Sequence, residues 1–399
     1  MATSTPLTIS AGFKQLLQPG GRLANSLFIN SNGMLQRLPT TAGLDTSPLY
    51  SGSPNWPATR SALSLCNATS PFAASNAIGS IATAAANWSG AVLAPNGLIY
   101  CVPNGATGVL VINPATNAIL NTISLSPITG SWSGGVLASN GNIYCVPYSA
   151  STVLVITPSS VSPYGTLSTI GSGLSGSTYW GGVLAGGYIY CSPSGATSIL
   201  IINPAGGTVS TSGTVSASSH WTGAVLAPNG KIYCLPDGSG SVLVITPSGT
   251  TVTTATISTA TTSSCFGGVL APNGMIYAIP YTTASGAVLM INPNNGTITT
   301  ISSGQTFSSS FRGGFVTPSG MIYAFPYAAL GMLAIDSTTN AVSLVGTFPS
   351  GNKCSGGVLA PNGIAYGVPG GNSDFVETFN TGFSDIPLNL CLSPYFNKL

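Results

Sequence analysis

One motif occurs seven times in this chain and constrains its fold more than any other feature. With small variations, each copy reads Gly-Gly/Ala-Val-Leu-Ala-Pro-Asn-Gly-x-Ile-Tyr-x-x-Pro and is followed by a short apolar run. The first glycines of the copies lie 42 to 47 residues apart, at Gly90, Gly134, Gly181, Gly223, Gly267, Gly313 and Gly356. A period of about 40 to 50 residues built from short strands is typical of the blades of a β-propeller.

Each copy predicts four strands. In the second copy, residues 134–138 form a first strand, and the Ser-Asn-Gly turn after it favours positive φ angles. Residues 142–147 then return as a second strand that ends at a proline. The apolar run 153–156 predicts a third strand covered on both faces, and the Thr-rich, β-branched segment 166–170 predicts an outer edge strand.

The ends of the array predict how the ring closes. The seventh copy reaches its third strand at residues 374–379 and shows no fourth, while residues 77–83 resemble a fourth strand without a blade. Closing the ring with this segment would remove an edge prone to aggregation. We therefore predict an all-β chain: a seven-bladed propeller of four-stranded blades (75–380), closed by an N-terminal strand. A mostly irregular N-terminal docking arm (1–74) and a C-terminal tail (381–399) complete it.

The composition limits the partners of the chain. Charged residues make up 4% of the sequence and the net charge is +2, which argues against nucleic acid as a partner. No stretch approaches the roughly 18 apolar residues of a membrane span, and the first ten residues do not resemble a secretory signal. We therefore expect no membrane span and folding in a cytoplasm.

The cysteines follow the repeat. Four of the eight occupy the position after Ile-Tyr, where the other copies have alanine or glycine: Cys101, Cys145, Cys191, Cys234, Ala278, Ala324 and Gly367. This pattern predicts a small buried position. Equivalent positions in neighbouring blades should lie too far apart for a disulfide, and no Cys-x-x-Cys motif favours zinc.

Groups that could carry out catalysis are few. The chain has one histidine, His220, and the repeats contain four acids: Asp237, Asp336, Asp374 and Glu377. No paired carboxylates, metal-ligand cluster or Ser-His-Asp arrangement is recognisable. The sequence therefore predicts a protein that is not an enzyme, with no catalytic residue, metal or cofactor; a hydrolase or lyase ranks last among the hypotheses.

The variation between copies that bears most on function lies just before the first strand of each blade. Here we define a first position (Trp88, Trp132, Tyr179, Trp221, Cys265, Phe311, Cys354) and a second position (Ser89, Ser133, Trp180, Thr222, Phe266, Arg312, Ser355). Packing between blades is the favoured interpretation of the aromatic residues. The alternative is a sugar-binding rim on one face. Its candidate residues are Trp88, Trp132, Tyr179, Trp180, His220, Trp221, Phe311, Arg312 and Lys353.

The array resembles the kelch, WD40 and NHL class of propellers in blade length and in its Gly-Gly strand followed by a hairpin. It lacks the Trp-Asp ending of WD40 blades and the longer kelch pattern, so the resemblance covers residues 77–380 at the level of the fold. A weaker likeness is to propeller modules of tailed-phage virions, which also combine few charges, Ser/Thr/Gly-rich repeats and a leader outside the repeats.

Two functions follow as hypotheses. The first is a structural virion component, folded in the host cytoplasm, oligomeric in its assembly, bound to other virion proteins through residues 1–74 and displaying the propeller toward a host-surface glycan. The alternative is a carbohydrate-binding lectin that uses the aromatic rim.

Overall fold

The computed structural model describes residues 27–29, 35–37, 76–79, 81, 87–174, 178–259, 263–283, 286–304, 306–317, 319–348, 353–371, 376–381 and 397–398. Every regular element in these ranges is a strand. After a two-stranded hairpin in the N-terminal region, seven antiparallel sheets of four or five strands follow one another along the chain. The chain is a seven-bladed β-propeller, as the repeat predicts.

Each blade has an inner, a second, a third and an outer strand. The inner strands are Trp88–Leu93, Trp132–Leu137, Tyr179–Ala185, Trp221–Leu226, Ser264–Leu270, Phe311–Val316 and Cys354–Leu359. The second strands are Ile99–Pro103, Ile143–Pro147, Tyr188–Pro193, Ile232–Pro236, Ile276–Thr282, Met321–Pro326 and Ile364–Pro369. The third strands are Gly108–Asn113, Val153–Pro158, Ile199–Asn203, Ser241–Ser248, Ala287–Asn292, Met332–Asp336 and Val376–Asn380. The outer strands of blades 1 to 6 are Ala118–Ser124, Gly165–Ile170, Thr208–Ser212, Thr251–Ser258, Thr297–Ser302 and Val342–Val345.

The N-terminal side of the array supplies the missing strand of blade 7. Asn76–Ile78 pairs antiparallel with Val376–Asn380, with Ala77 opposite Glu377. The predicted closure is therefore confirmed, although the strand is shorter than the segment 77–83. It completes the hydrogen bonding of a strand that would otherwise form an open edge.

Blade 6 has a fifth strand. Asn397–Lys398 pairs antiparallel with the inner strand Phe311–Val316, on the edge opposite the second strand of the blade. Because the inner strands surround the propeller axis, this short strand lies on the axial side of blade 6.

The first glycine of each motif forms a β-bulge. In blade 1, Trp88 is opposite Pro103 whereas Ala91 is opposite Cys101, so the inner strand contains one extra residue. The seven first glycines have φ between +63° and +88°, a region that residues with a Cβ seldom adopt. A Cβ on Gly134 would also lie 2.9 Å from the Cα atom of Gly181 in the next blade. The motif therefore needs glycine both for its conformation and for close packing around the axis.

The hydrophobic core lies between adjacent blades. One cluster joins Val92 and Tyr100 of blade 1 to Trp132 and Cys145 of blade 2, and similar clusters occupy the other interfaces. At the closure, a cluster contains Trp88 of blade 1 and Tyr366 of blade 7. Each blade is thus stabilised mainly by burying its faces against its neighbours.

A hydrogen-bonded latch repeats at these interfaces. The side-chain amide of Asn96 donates to the hydroxyl of Tyr100 (2.9 Å) and to the carbonyl of Ser159 in blade 2 (3.0 Å). The corresponding Asn–Tyr pairs contact one carbonyl of the next blade: Asn140 and Tyr144 with Pro204, Asn229 and Tyr233 with Pro293, Asn273 and Tyr277 with Ser337, Asn362 and Tyr366 with Pro114. The last pair joins blade 7 to blade 1. The recurring Asn and Tyr of the motif are therefore structural.

Residues 1–66 form a separate compact unit. Within it, Leu27–Ile29 and Leu35–Arg37 pair as an antiparallel hairpin, and the rest of the predicted docking arm lies outside the described residues. Among the residues that the structure describes, no helix is long and apolar enough to cross a membrane. The boundaries of the arm and of the tail stay predictions.

Candidate functional site at the axial mouth

The first positions lie inside the blades. Trp88, Trp132 and Trp221 are at most 2% exposed, and each indole N–H donates to a carbonyl at or just before the third strand of its own blade. Tyr179 and Phe311 are equally buried. These five side chains fill the core at the end of the blade where the inner strand begins.

The second positions lie nearer the axis at this same end. The hydroxyl oxygens of Ser89 and Ser133, in blades 1 and 2, are 2.9 Å apart. The rings of Trp180 and Phe266 have centroids 5.0 Å apart although they belong to blades 3 and 5. Because blade 4 separates their strands, these two rings meet only by extending over the mouth of the axial channel.

Three tyrosines extend this contact into a continuous patch. Tyr148, Tyr281 and Tyr327 directly follow the repeat proline at the C-terminal end of the second strand, and so lie at the same end of their blades. The ring centroids of neighbouring members are 4.5 to 6.2 Å apart along the series Tyr148, Trp180, Phe266, Tyr281, Tyr327. We call these five residues together with Arg312 the aromatic–arginine cluster.

Arg312 occupies the centre of one side of the cluster. Its guanidinium carbon lies 3.7 Å from the ring centroid of Tyr327, 4.8 Å from that of Phe266 and 5.2 Å from that of Tyr281. Such distances are favourable for cation–π interaction. Phe266 is 8% exposed, whereas the other members of the cluster are partly exposed. The cluster therefore presents aromatic and cationic surface to solvent at one end of the channel.

The mouth is chemically asymmetric. The second positions of blades 7, 1 and 2 are the small hydroxyl residues Ser355, Ser89 and Ser133. Those of blades 3, 5 and 6 are Trp180, Phe266 and Arg312, and Thr222 of blade 4 donates its hydroxyl hydrogen to the carbonyl of Cys265. The serines are buried, so one side of the mouth is small and polar beneath its surface, whereas the other carries partly exposed rings and a guanidinium.

His220 and Lys353 occupy the position just before the first position, at the same end of their blades. His220 is exposed, and its Nδ1 is 3.4 Å from the hydroxyl of Ser194. Lys353 is 6% exposed and its ammonium group donates to the carbonyl of Ala329 at 2.9 Å. Burial lowers the pKa of Lys353, partly offset by Cys354 and Glu377.

Only Trp180 and Arg312 of the nine candidate rim residues belong to the cluster. Phe266 aligns at the second position but is not among the candidates, and neither are Tyr148, Tyr281 and Tyr327. A signal for the tyrosines exists, because the position after the repeat proline varies among the copies: Asn104, Tyr148, Ser194, Asp237, Tyr281, Tyr327 and Gly370.

The thiols of the repeat do not reach this site. Cys101, Cys145, Cys191 and Cys234 are free and 0% exposed, as their small-residue position predicts. Burial raises the pKa of Cys101, Cys145 and Cys191, and raises that of Cys234 to about 12. Within the described part of the chain, no three or more His, Cys, Asp or Glu side chains are grouped as metal ligands.

Comparisons with known proteins support the propeller fold. A family model described as a repeat of unknown function (DUF6923) matches residues 184–353, which lie in blades 3 to 6 and the loop after them. No curated protein matches the chain. These findings do not show the likeness to phage virion modules.

Several solved structures share the fold. A streptogramin B lyase has a TM-score of 0.66 at 12% identity and covers 78% of this chain and 98% of its own. Virginiamycin B lyase from Staphylococcus aureus has a TM-score of 0.65 at 12% identity, with 77% and 99% covered. Hydrazine synthase from Kuenenia stuttgartiensis has a TM-score of 0.57 at 15% identity, with 75% and 97% covered. At these identities the likeness is one of fold.

The comparisons correct one prediction. The prediction that the chain is not an enzyme is wrong as drawn, because proteins of the same fold include two lyases. A low number of acids does not exclude catalysis, since a reaction needs only the few groups that converge at one place.

Proposed function

We propose that the propeller binds saccharides at the axial mouth through the aromatic–arginine cluster. The observation that carries this proposal is the contiguous series of five rings, of which four are partly exposed and three lie against the guanidinium of Arg312. Partly exposed rings offer apolar faces to the C–H groups of a sugar, while nearby hydroxyls form hydrogen bonds with its hydroxyl groups.

Packing between blades does not account for these rings. The buried first-position side chains already fill the interfaces at this end of the blades. The contact between Trp180 and Phe266 skips blade 4, so it does not belong to the interface of any two adjacent blades. Contiguous apolar surface left partly exposed is typical of a binding site.

A glycan array with the full chain tests this proposal. We expect wild-type protein to bind a defined set of glycans and Trp180→Ala to lose at least tenfold in affinity, which corresponds to about 1.4 kcal/mol. Tyr188→Ala is the matched control: Tyr188 is partly exposed but begins a second strand at the opposite end of blade 3. The proposal is wrong if wild type binds no glycan, or if Trp180→Ala and Tyr188→Ala bind alike.

The array samples also serve to detect reaction products. Because lyases share this fold, bound oligosaccharides are analysed by mass spectrometry for cleavage after incubation with the protein. Trp132→Ala and Trp221→Ala are poor variants for either assay, since both rings are buried and their loss leaves a cavity in the core.

A role in a virion, with docking through residues 1–74, is a proposal that rests on the sequence argument alone. Its test is mass spectrometry of purified particles from the source of this chain. Absence of the protein from such particles would exclude it.

A further inference from the structure

We infer that the saccharide bound at the axial mouth is acidic and that Arg312 binds its carboxylate. This inference rests on the proposed function and deepens it. It follows from the hydrogen bonds that Arg312 makes, from the charge of its surroundings and from the way the rings hold its guanidinium.

Arg312 uses little of its hydrogen-bonding capacity. A guanidinium has five N–H donors in a planar fork. One terminal nitrogen is 3.3 Å from the hydroxyl of Ser355 and the other is 3.3 Å from the hydroxyl of Tyr281. Both distances are at the long end for N–H···O bonds. The Nε atom is buried without a hydrogen-bond partner among the described residues.

The partners of Arg312 in the described residues are neutral. Its two hydrogen bonds go to hydroxyl groups and its remaining contacts are three aromatic rings. A partly buried cation loses solvation, and rings with two hydroxyls replace only part of it. An arriving anion would supply the missing interaction, and a carboxylate fits the planar fork with two parallel hydrogen bonds.

The rings fix the guanidinium before a ligand arrives. The guanidinium carbon lies between 3.7 and 5.2 Å from the centroids of Tyr327, Phe266 and Tyr281. A side chain held in this way loses less conformational entropy on binding than a free surface arginine. A lysine would stack less well here, because its ammonium group is compact and more strongly hydrated.

The charge of the site favours one carboxylate over a highly sulfated chain. Among the side chains that the structure describes, Arg312 is the single cation of the aromatic–arginine cluster, and the ammonium group of Lys353 is directed to a backbone carbonyl. Recognition of polysulfated glycans relies on clusters of basic residues. A uronic or sialic acid combines one carboxylate with a ring that can stack, which matches one guanidinium beside several aromatic side chains.

The test compares acidic saccharides with neutral counterparts, and the acid and its methyl ester are the pair most closely matched in size. Full-length protein is titrated with lactose, sialyllactose and sulfated lactose, and with trigalacturonate and its neutral methyl ester, by isothermal calorimetry. We expect sialyllactose or trigalacturonate to bind at least tenfold more tightly than its neutral counterpart. The preference should decrease as salt is added, because salt screens a partly exposed ion pair.

Variants assign the preference to Arg312. We expect Arg312→Gln to bind acidic and neutral saccharides with equal affinity, and Arg312→Lys to keep part of the preference. Tyr188→Ala should retain all of it. Circular dichroism and thermal unfolding establish that each variant is folded, and the comparison of acid with ester on wild type needs no variant.

Each outcome decides one of the two proposals. Equal binding of acid and ester by wild type overturns the inference and leaves saccharide binding intact, as does a preference that survives in Arg312→Gln. Tighter binding of sulfated lactose than of sialyllactose overturns the assignment to a carboxylate. Binding of no saccharide at all overturns the proposed function itself.

Discussion

At the scale of the residue, the motif combines backbone geometry with burial. The first glycine of each copy adopts a positive φ in a bulge of the inner strand. The bulge inserts one extra residue between the buried first position and the paired part of the strand, as for Trp88 and Ala91 in blade 1. The side chain at the intervening second position can thereby face the axis.

Burial of the thiols should make the protein less stable as the pH becomes alkaline. Burial raises the pKa of Cys234 to about 12, so the thiol stays protonated in the folded protein while the unfolded chain ionises above about pH 8.5. Between these values the unfolded state binds fewer protons, so the free energy of unfolding falls as pH rises. The free energy of unfolding of wild type should fall as pH rises from about 8.5 to 10. We expect this fall to be about 1 to 2 kcal/mol smaller in Cys234→Ala.

Urea unfolding at a series of pH values measures this difference. Alanine is already present at the same position as Ala278 and Ala324, which makes the substitution conservative. Val161→Ala, at a side chain that is 73% exposed, is the control and should parallel wild type. If the free energies of unfolding of Cys234→Ala and wild type vary with pH in parallel, the buried Cys234 thiol is not the cause of the pH dependence.

At the scale of the element, the latches explain the recurring Asn and Tyr. Asn140 and Tyr144 both contact the carbonyl of Pro204, at 3.3 Å each, and thereby join the hairpin of blade 2 to blade 3. Burial also raises the pKa of the equivalent Tyr100, Tyr277 and Tyr366. The latch thus uses neutral phenol groups as donors.

Loss of one latch should destabilise the propeller measurably. We expect Asn140→Ala and Tyr144→Phe each to lower the free energy of unfolding by about 1 kcal/mol, the usual contribution of a hydrogen bond. The double variant should cost less than the sum, since the two side chains share one carbonyl. Urea unfolding of the four proteins provides the cycle.

Asn142 gives the matched control for the latch. It follows the same turn, and its position holds leucine, lysine or methionine in other copies: Leu98, Lys231 and Met275. Asn142→Ala should leave the free energy of unfolding within about 0.5 kcal/mol of wild type. If it costs as much as Asn140→Ala, the latch is not the cause.

At the scale of the whole molecule, closure joins residues far apart in the chain. Asn76–Ile78 completes blade 7, and the amide of Asn362 donates to the carbonyl of Pro114 in blade 1 at 2.8 Å. Stability therefore belongs to the ring, because a blade without both neighbours leaves apolar faces in water.

Removal of the closing strand should open the ring. We expect a chain that begins at residue 67 to keep the oligomeric state and stability of the full chain, and one that begins at residue 80 to aggregate and unfold at lower urea, because Val376–Asn380 becomes an open edge. Light scattering and urea unfolding measure both effects. A synthetic peptide of residues 75–81 should restore the solubility and the urea stability of the shorter chain. Equal behaviour of the two truncated chains would show that the closing strand does not protect this edge.

Whether the molecule acts on a ligand is also decided at this scale. Few acids along the chain suggested that it is not an enzyme, but the fold is shared with lyases. Residue counts do not describe a site, since the groups that meet at one depend on the tertiary structure.

The sequence by itself determined the blades, their number and the closing strand. Each of these features depends on local signals: strand patterns, turn residues, a glycine bulge and a period near 44 residues, set by first glycines such as Gly90 and Gly134. The buried thiol position was predictable for the same reason, because seven aligned copies show what it tolerates.

The tertiary structure alone decided which variable residues meet. Trp132 occupies the first position of its copy of the motif and Trp180 the second position of the next copy. Trp132 is buried in a blade, whereas Trp180 extends toward the ring of Phe266 at the channel mouth. Trp180 reaches Phe266 past an entire blade, and Arg312 lies against rings from two strands and one loop position. Such contacts depend on the radius of the closed ring and on the direction of the side chain at the bulge. The spacing of the repeats in the sequence predicts neither of these.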